Sequence, residues 1–236
     1  MGAEMGEADR RGLYRAIRTR RDVRSHFVRR PIGDAALARI LGAAHHAPSV
    51  GYSQPWDFVL VREGPTRRRV RESFEAARAA AAAELHGPRR EADASLKLEG
   101  IRESDLNVCV TYDASRSGPF VIGRSSMPEA GVYSVCCAVQ NLWLAARAEG
   151  IGVGWVSILS KDDLREILGL PGGIEPVAYL CLGHVGEFAA RPDLEEAGWL
   201  GRVALGDVVH YGRWGSRAGG AWAGLPPLLA RGIDYA

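Results

Sequence analysis

Between Glu129 and Glu149 the chain carries Val132, Val135, Cys136, Val139, Leu142, Trp143 and Ala146, a set that wraps most of a helix's circumference. Only Tyr133, Ser134, Gln140, Asn141 and Arg147 interrupt it with polarity. A helix apolar on nearly all sides has to be buried on nearly all sides, by a domain core or a subunit interface. A membrane does not qualify as the cover, because no run approaches the ~18 uncharged apolar residues that a span requires.

With 236 residues, 47% of them hydrophobic and 25% charged, the chain can surround such a helix with one sizeable core. One domain over residues 1–236 is expected, its core at 9–210. Residues 211–236, rich in Gly, Ala and Pro with Trp214 and Trp222, read as an extended arm over the surface or over a partner subunit. Thirty basic residues against twenty-eight acidic leave no clustered face for nucleic acid. Arginine does cluster locally, at Arg18, Arg20, Arg21, Arg24, Arg29 and Arg30 and again at Arg67, Arg68, Arg69 and Arg71. Solvated faces account for such runs, with a small anionic ligand as the alternative. Cys109, Cys136, Cys137 and Cys181 lack CxxC spacing, sit in apolar runs and read as buried thiols of a reducing compartment. No secretory signal is visible, so a cytoplasmic location is expected.

Helical periodicity appears over Asp9–Arg18, from an Asp34 N-cap to Ala44, over Pro65–Leu85 until Gly87-Pro88 stops it, and over Lys161–Leu168 behind a Ser160 cap. Phe58–Val61, Leu106–Tyr112, Val153–Ile158 and Val177–Leu182 read as strands. The alternation suggests an α+β or α/β sandwich.

Several chemistries drop out. Gly150, Gly152 and Gly154 follow a helix and enter a strand, the reverse of a dinucleotide-binding turn. They read instead as a helix C-cap and as room for something flat to lie against the backbone. There is no HExxH, His45 and His46 diverge on a helix, and His184 and His210 stand alone, so no metal site is expected. Ser49, Ser53 and Ser157 lack the GxSxG context of a hydrolase. What remains is Arg20-Arg21-Asp22-Val23-Arg24 after a helix, with Ala47-Pro48-Ser49 and Gln54-Pro55-Trp56. Arginine forks can hold a phosphate and donate to an electron-rich ring, while Ser49 and Gln54 can pair with a heterocycle edge. Together they suggest a flavin site.

Four runs carry a family resemblance: RRDVRSHF (20–27), HHAPSVGYSQPWDFVLV (45–61), LKLEGIRESDLNVCVTYD (96–113) and VQNLWLAARAEGIGVGWVSI (139–158). They resemble the flavin-dependent nitroreductase superfamily over about residues 10–215. Asp22 in RRDVR and Ser157 in GWVSI point to the branch that consumes reduced FMN with O2. The resemblance implies an α+β fold, a mixed sheet flanked by helices, in an interlocked homodimer with FMN at the interface. It implies that Arg20, Arg21 and Arg24 hold the FMN phosphate and pyrimidine edge and that Ser49 and Gln54 line the site. Leu106 and the Gly154–Ser157 strand would pack by the isoalloxazine, and Arg191 would add a phosphate contact. In that branch FMN is the substrate, converted to 5,6-dimethylbenzimidazole and erythrose 4-phosphate, with Asp22 as general acid/base and Ser157 positioning the ring. Electrons from NAD(P)H would arrive through a separate flavin reductase. The alternatives are an FMN-dependent NAD(P)H nitroreductase or quinone reductase, and a non-catalytic flavin carrier in cobamide assembly. Ala130-Gly131 departs from the acidic residue common at the start of the family's central helix, and Gly131 costs that helix about 1 kcal/mol relative to Ala.

Overall fold

A computed structural model describes residues 4–84, 86, 87, 94, 96–217 and 219–231. Contacts divide the chain into two compact units, Ala16–Ala190 and Met1–Arg15 with Arg191–Ala236. The tail therefore parts from the expected core before Tyr211. Helix α1 (Glu7–Thr19) runs through the boundary and buries no residue.

In the larger unit, α2 (Asp34–His45) leads through a short 3-10 turn to β1 (Trp56–Val61), followed by α3 (Gly64–Ala83), β2 (Leu106–Asp113), α4 (Ala130–Ala148), β3 (Ile151–Val156), α5 (Lys161–Leu168) and β4 (Ile174–His184). The sheet order is β1-β2-β4-β3, and every neighbouring pair is antiparallel. The mixed sheet expected above is thus corrected. The parallel pairing among the described residues is an isolated bridge between Asp22 and Val153.

Alternation along the two central strands builds the layers. Val108, Val110, Leu180 and Leu182 point to one face, where α2 and α4 cover them with Ile40, Ala44, Val135, Val139 and Leu142. Cys109, Tyr179 and Cys181 point to the other, under Val70 and Phe74 of α3 and Leu164 of α5. Both faces are covered, so the two strands read as continuous apolar runs. Pro176 has no N–H for the ladder, and there the register shifts: Val110 pairs with Ala178 but Thr111 with Pro176, leaving Val177 as the bulged residue. An added Cβ at Gly131 would meet the Tyr112 hydroxyl at 2.5 Å, so this glycine admits a β2 side chain against the start of α4.

Several expectations are revised. Gly33, extended at φ −69 and ψ 147, caps α2, and Asp34 is its first helical residue, where a carboxylate favours the helix dipole. β3 opens two residues before Val153, because Ile151 and Gly152 pair with His184 and Gly183, and it closes before Ser157 and Ile158. Within the expected arm, Gly220–Trp222 and Leu225–Arg231 are helical. Leu85, Pro88 and residues 232–236 lie outside the described residues. The largest revision concerns α4. Within one chain the sheet and α2 cover only its inner side, and Tyr133, Cys136, Cys137 and Gln140 form an exposed stripe. Two of the four thiols expected to be buried are therefore open. Cys109 and Cys181 are buried, which disfavours their thiolates and pushes each up to about 12. The Ser160 cap forms as expected, its hydroxyl accepting from the Asp163 amide at 3.2 Å.

Candidate active site

After α1 ends at Thr19, residues 20–24 leave the helix and lie along the edge of β3. The Val23 amide donates to the Val153 carbonyl at 2.9 Å. Glycine permits the approach: a Cβ on Gly154 would collide with the Val23 carbonyl oxygen, and one on Gly152 would meet the Val23 side chain at 3.0 Å and Val185 at 2.7 Å. On the Cβ side, the close approach allowed by Gly152 and Gly154 is chain against chain, with Val23 as the neighbour. Gly150, at φ +74 directly after the Glu149 C-cap, supplies the left-handed helix end expected of a glycine there.

That docking fixes Asp22. Its Oδ1 accepts from the Trp155 amide at 2.9 Å and its Oδ2 from Arg24 Nη2 at 2.6 Å. Arg21 Nη1 donates to the carbonyls of Arg18 and Arg20, at 3.0 and 2.8 Å, and its Nη2 to that of Ala190. The C-terminal half of α4 supports the segment from beneath. Trp143 Nε1 donates to the Arg21 carbonyl at 3.0 Å, and the Arg20 guanidinium lies 5.3 Å from the Trp143 ring centroid. One turn on, Arg147 Nε donates to Thr19 Oγ1 at 3.0 Å, and its guanidinium stacks 3.9 Å from the Phe188 ring centroid. In the sequence Trp143 and Arg147 read only as helix residues. Their i,i+4 spacing, one aromatic and one cation on a shared face, was the available signal.

Two donors are left over. Nε of Arg21 and Nε of Arg24 are buried and have no acceptor among the described residues. A buried N–H without a partner costs about 1–3 kcal/mol, and an acceptor-rich ligand removes that cost. With three guanidiniums in one five-residue segment and the carboxylate of Asp22 paired to Arg24 alone, this donor set fits a phosphate or the carbonyl edge of a pyrimidine ring.

Ser49 and Gln54 form a separate cluster. The Gln54 amide donates to Ser49 Oγ at 3.0 Å, and Gln54 Nε2 donates to the Tyr52 carbonyl at 3.0 Å. Their loop is held by the Val50 amide donating to Ser134 Oγ at 3.0 Å, at the N-terminal end of α4. Tyr52 at φ +55 and Gln54 at φ +46 are left-handed without being glycine, a conformation that persists only where the surroundings impose it. Ser134 and Trp143 are nine helical residues apart, about 13 Å along the axis at 1.5 Å per residue, so in one chain the two clusters attach to different parts of α4.

The other expected residues fall as follows. Ser157 is exposed immediately past β3, and no hydrogen bond to its hydroxyl occurs among the described residues. Leu106 is 1% exposed and packs inside the core on the α2 and α4 side. Arg191 belongs to the smaller unit, where it pairs with Glu195 at 3.1 Å. No cluster of His, Cys, Asp and Glu that could hold a metal occurs among the described residues. None of the described helices is long and apolar enough to cross a membrane.

Comparison with known proteins extends this picture. The chain is 45% identical over 193 residues to a 5,6-dimethylbenzimidazole synthase of Rhodospirillum rubrum, covering 82% of this chain and 91% of that protein. It is 40% identical over 194 residues to a 5,6-dimethylbenzimidazole synthase of Rhodobacter capsulatus, covering 82% and 93%. Among solved structures, iodotyrosine deiodinase bound to FMN and 3-iodo-L-tyrosine superimposes with a TM-score of 0.64 at 20% identity, over 76% of this chain and 92% of that one. A BluB-like flavoprotein from Clostridium difficile 630 gives a TM-score of 0.57 at 19% identity, over 83% and 97%. At those identities the structures speak for the fold alone. Residues 17–184 match the Nitroreductase family, and with the arginine segment docked on β3 and the helix-flanked sheet in place, the chain belongs to that family.

Proposed function

We propose that this protein forms 5,6-dimethylbenzimidazole from reduced FMN and O2, releasing erythrose 4-phosphate. The observation that carries the reading is Asp22, a carboxylate fixed at both oxygens within the arginine cluster of a chain 45% identical to a synthase of that name. FMN supplies the ring that is oxidised and broken.

The chain's residues bind it, orient it and move protons. Arg20, Arg21 and Arg24 hold the phosphate and the pyrimidine edge, with the buried Nε–H groups of Arg21 and Arg24 as the donors that most need an acceptor. Trp155 and Arg24 each occupy one lone pair on an Asp22 oxygen, leaving one lone pair per oxygen for a proton in transit. The Ser157 hydroxyl, free to rotate at the end of β3, donates to the ring edge. Electrons come from NAD(P)H through a separate flavin reductase.

The complete site is that of a homodimer. Pairing two copies of α4 antiparallel sets the Ser49 and Gln54 end of one chain beside the Arg20–Arg24 end of the other, and it covers the stripe of Tyr133, Cys136, Cys137 and Gln140.

The test is aerobic single-turnover mixing of the protein with reduced FMN, followed by chromatography. Dimethylbenzimidazole in amounts approaching the enzyme is the expected result, and clean return of FMN without it overturns the reading. A second reading is favoured by 28% identity over 172 residues to a putative NADH dehydrogenase/NAD(P)H nitroreductase of Archaeoglobus fulgidus. It requires sustained NAD(P)H oxidation in the presence of a nitroaromatic.

A further inference from the structure

The two arginine-rich runs of the sequence, forty residues apart, meet in space at a place the flavin site does not use. Arg29 and Arg30 from the first run, Arg67 and Arg71 from the start of α3, and Arg102 line one cavity of about 610 Å³. It opens on the α3 side of the sheet, whereas Trp143 and the Arg20 guanidinium above it belong to the α4 side.

Charge on the walls is largely uncompensated. Of the two acids there, Glu103 is taken by Lys97 at 2.8 Å and Asp105 by Arg62 at 3.2 Å and the Ile32 amide at 3.0 Å. Arg71 is committed to Glu75 at 2.8 Å and lies 4.0 Å from Glu99. Arg29, Arg30 and Arg102 are exposed and make no side-chain hydrogen bond or ion pair among the described residues. Arg67 donates from Nε and Nη2 to the carbonyls of Ile101 and Ser104, which orient its guanidinium without neutralising it.

The floor is also preformed, unlike a patch of mobile surface arginines. Ser104 Oγ accepts from Asn107 Nδ2 at 2.8 Å, and Asn107 Oδ1 accepts from the Tyr179 hydroxyl at 3.0 Å, in a buried chain that fixes the segment holding Arg67. The Phe27 ring forms part of the wall and is locked against two glycines, where added Cβ atoms would meet it at 2.5 Å from Gly100 and 2.7 Å from Gly183. Four guanidiniums without a carboxylate partner among the described residues, set around a fixed hollow, repel one another until an anion joins them. The planar fork matches phosphoryl oxygens better than any other common biological anion except a carboxylate.

We propose that this cavity binds a compact phosphate-bearing anion with more than one negative charge, at a site separate from the one that holds flavin. Its size exceeds a single phosphate, and its apolar lining is confined to Phe27, Val28 and Pro31, so a diphosphate or a small sugar phosphate suits it better than a nucleotide base.

The test uses the full chain saturated with FMN, so that phosphate capture at the flavin site is blocked, with isothermal titration at constant ionic strength. Inorganic pyrophosphate and ribose 5-phosphate are the two probes, distinguishing an inorganic from an ester source. Saturable binding of either is expected, and the double variant R29A/R102A should weaken it by about tenfold or more, since removing a single charge-assisted hydrogen bond costs roughly that factor. Both side chains are exposed and unpaired among the described residues, so FMN affinity and melting temperature should not move. Absence of saturable binding by both probes overturns the proposal, and so does binding that R29A/R102A leaves unchanged. Tighter binding of poly-glutamate than of either probe, abolished in the same variant, would replace the small anion with an acidic protein surface.

Discussion

Asp22 divides its carboxylate between a backbone amide and a guanidinium, and those two hydrogen bonds separate its structural work from its chemistry. Asn in its place keeps an acceptor for the Trp155 amide but carries no charge and no exchangeable carboxyl proton. Asp22→Asn should therefore bind FMN within about threefold of the wild type while losing product by about 10²-fold or more, the usual worth of a positioned acid/base group. Fluorescence quenching of FMN measures the first and single-turnover chromatography the second; loss of binding would make Asp22 a scaffold only. Trp143→Phe makes the opposite separation. It removes the donor to the Arg21 carbonyl and weakens the surface under Arg20, so FMN affinity should fall by about tenfold, corresponding to roughly 1–1.5 kcal/mol. Product formed per FMN bound should be unchanged. Of this neighbourhood the sequence displayed the cluster and its chemistry, because Arg20, Arg21, Asp22 and Arg24 are contiguous. It did not display the partner of Asp22, since the Trp155 amide reaches it only through a bridge between segments more than a hundred residues apart.

At the scale of elements, β3 and the segment docked on it depend on a residue with no side chain. Gly154→Ala places a methyl group against a backbone carbonyl, which can yield only by shifting the strand or the arginine segment. The expected cost is about 1–3 kcal/mol of stability, as for other overpacked sites, read as a lower urea midpoint. Flavin affinity should drop with it, because the displaced residues include the proposed flavin ligands. Ser160→Ala is the matched control: it removes the α5 cap at a cost of about 1 kcal/mol and should leave flavin affinity alone. If both variants lose stability and neither loses affinity, the docking of residues 20–24 on β3 does not organise the site. Helices were legible here because their periodicity is local, as Lys161–Leu168 shows with its cap in place. Strand ends were less so: Ile151 and Gly152 look like the exit from α4 until Gly183 and His184 are seen to pair with them. The same distance in sequence hides Val23 as the neighbour of Gly152 and Gly154 on their Cβ side.

On the scale of the whole molecule, α4 joins the fold to the site. Its inner side completes the core, the C-terminal half of its length holds the arginine segment, and its first turns hold the Ser49 loop. Its nearly all-round apolar sequence points to burial on nearly all sides, and a single chain covers only one of them. Tyr133, Cys136, Cys137 and Gln140 stay exposed, the face that the proposed homodimer would cover. Cys137→Glu should test this directly, since near a twofold axis it would set two like charges against each other in a desolvated seam. Sedimentation should show a dimer for the wild type and a monomer for the variant, and FMN affinity should fall by at least about tenfold because half of each site would be missing. Thiol labelling at pH 8 gives an independent reading. Cys109 and Cys181, pushed up to about 12 by burial, stay protonated and unreactive in both proteins. Cys136 should be shielded in the wild-type dimer and react in the variant. A variant that is monomeric yet binds FMN as tightly as the wild type would mean that each chain holds a complete site and that the exposed stripe serves assembly alone.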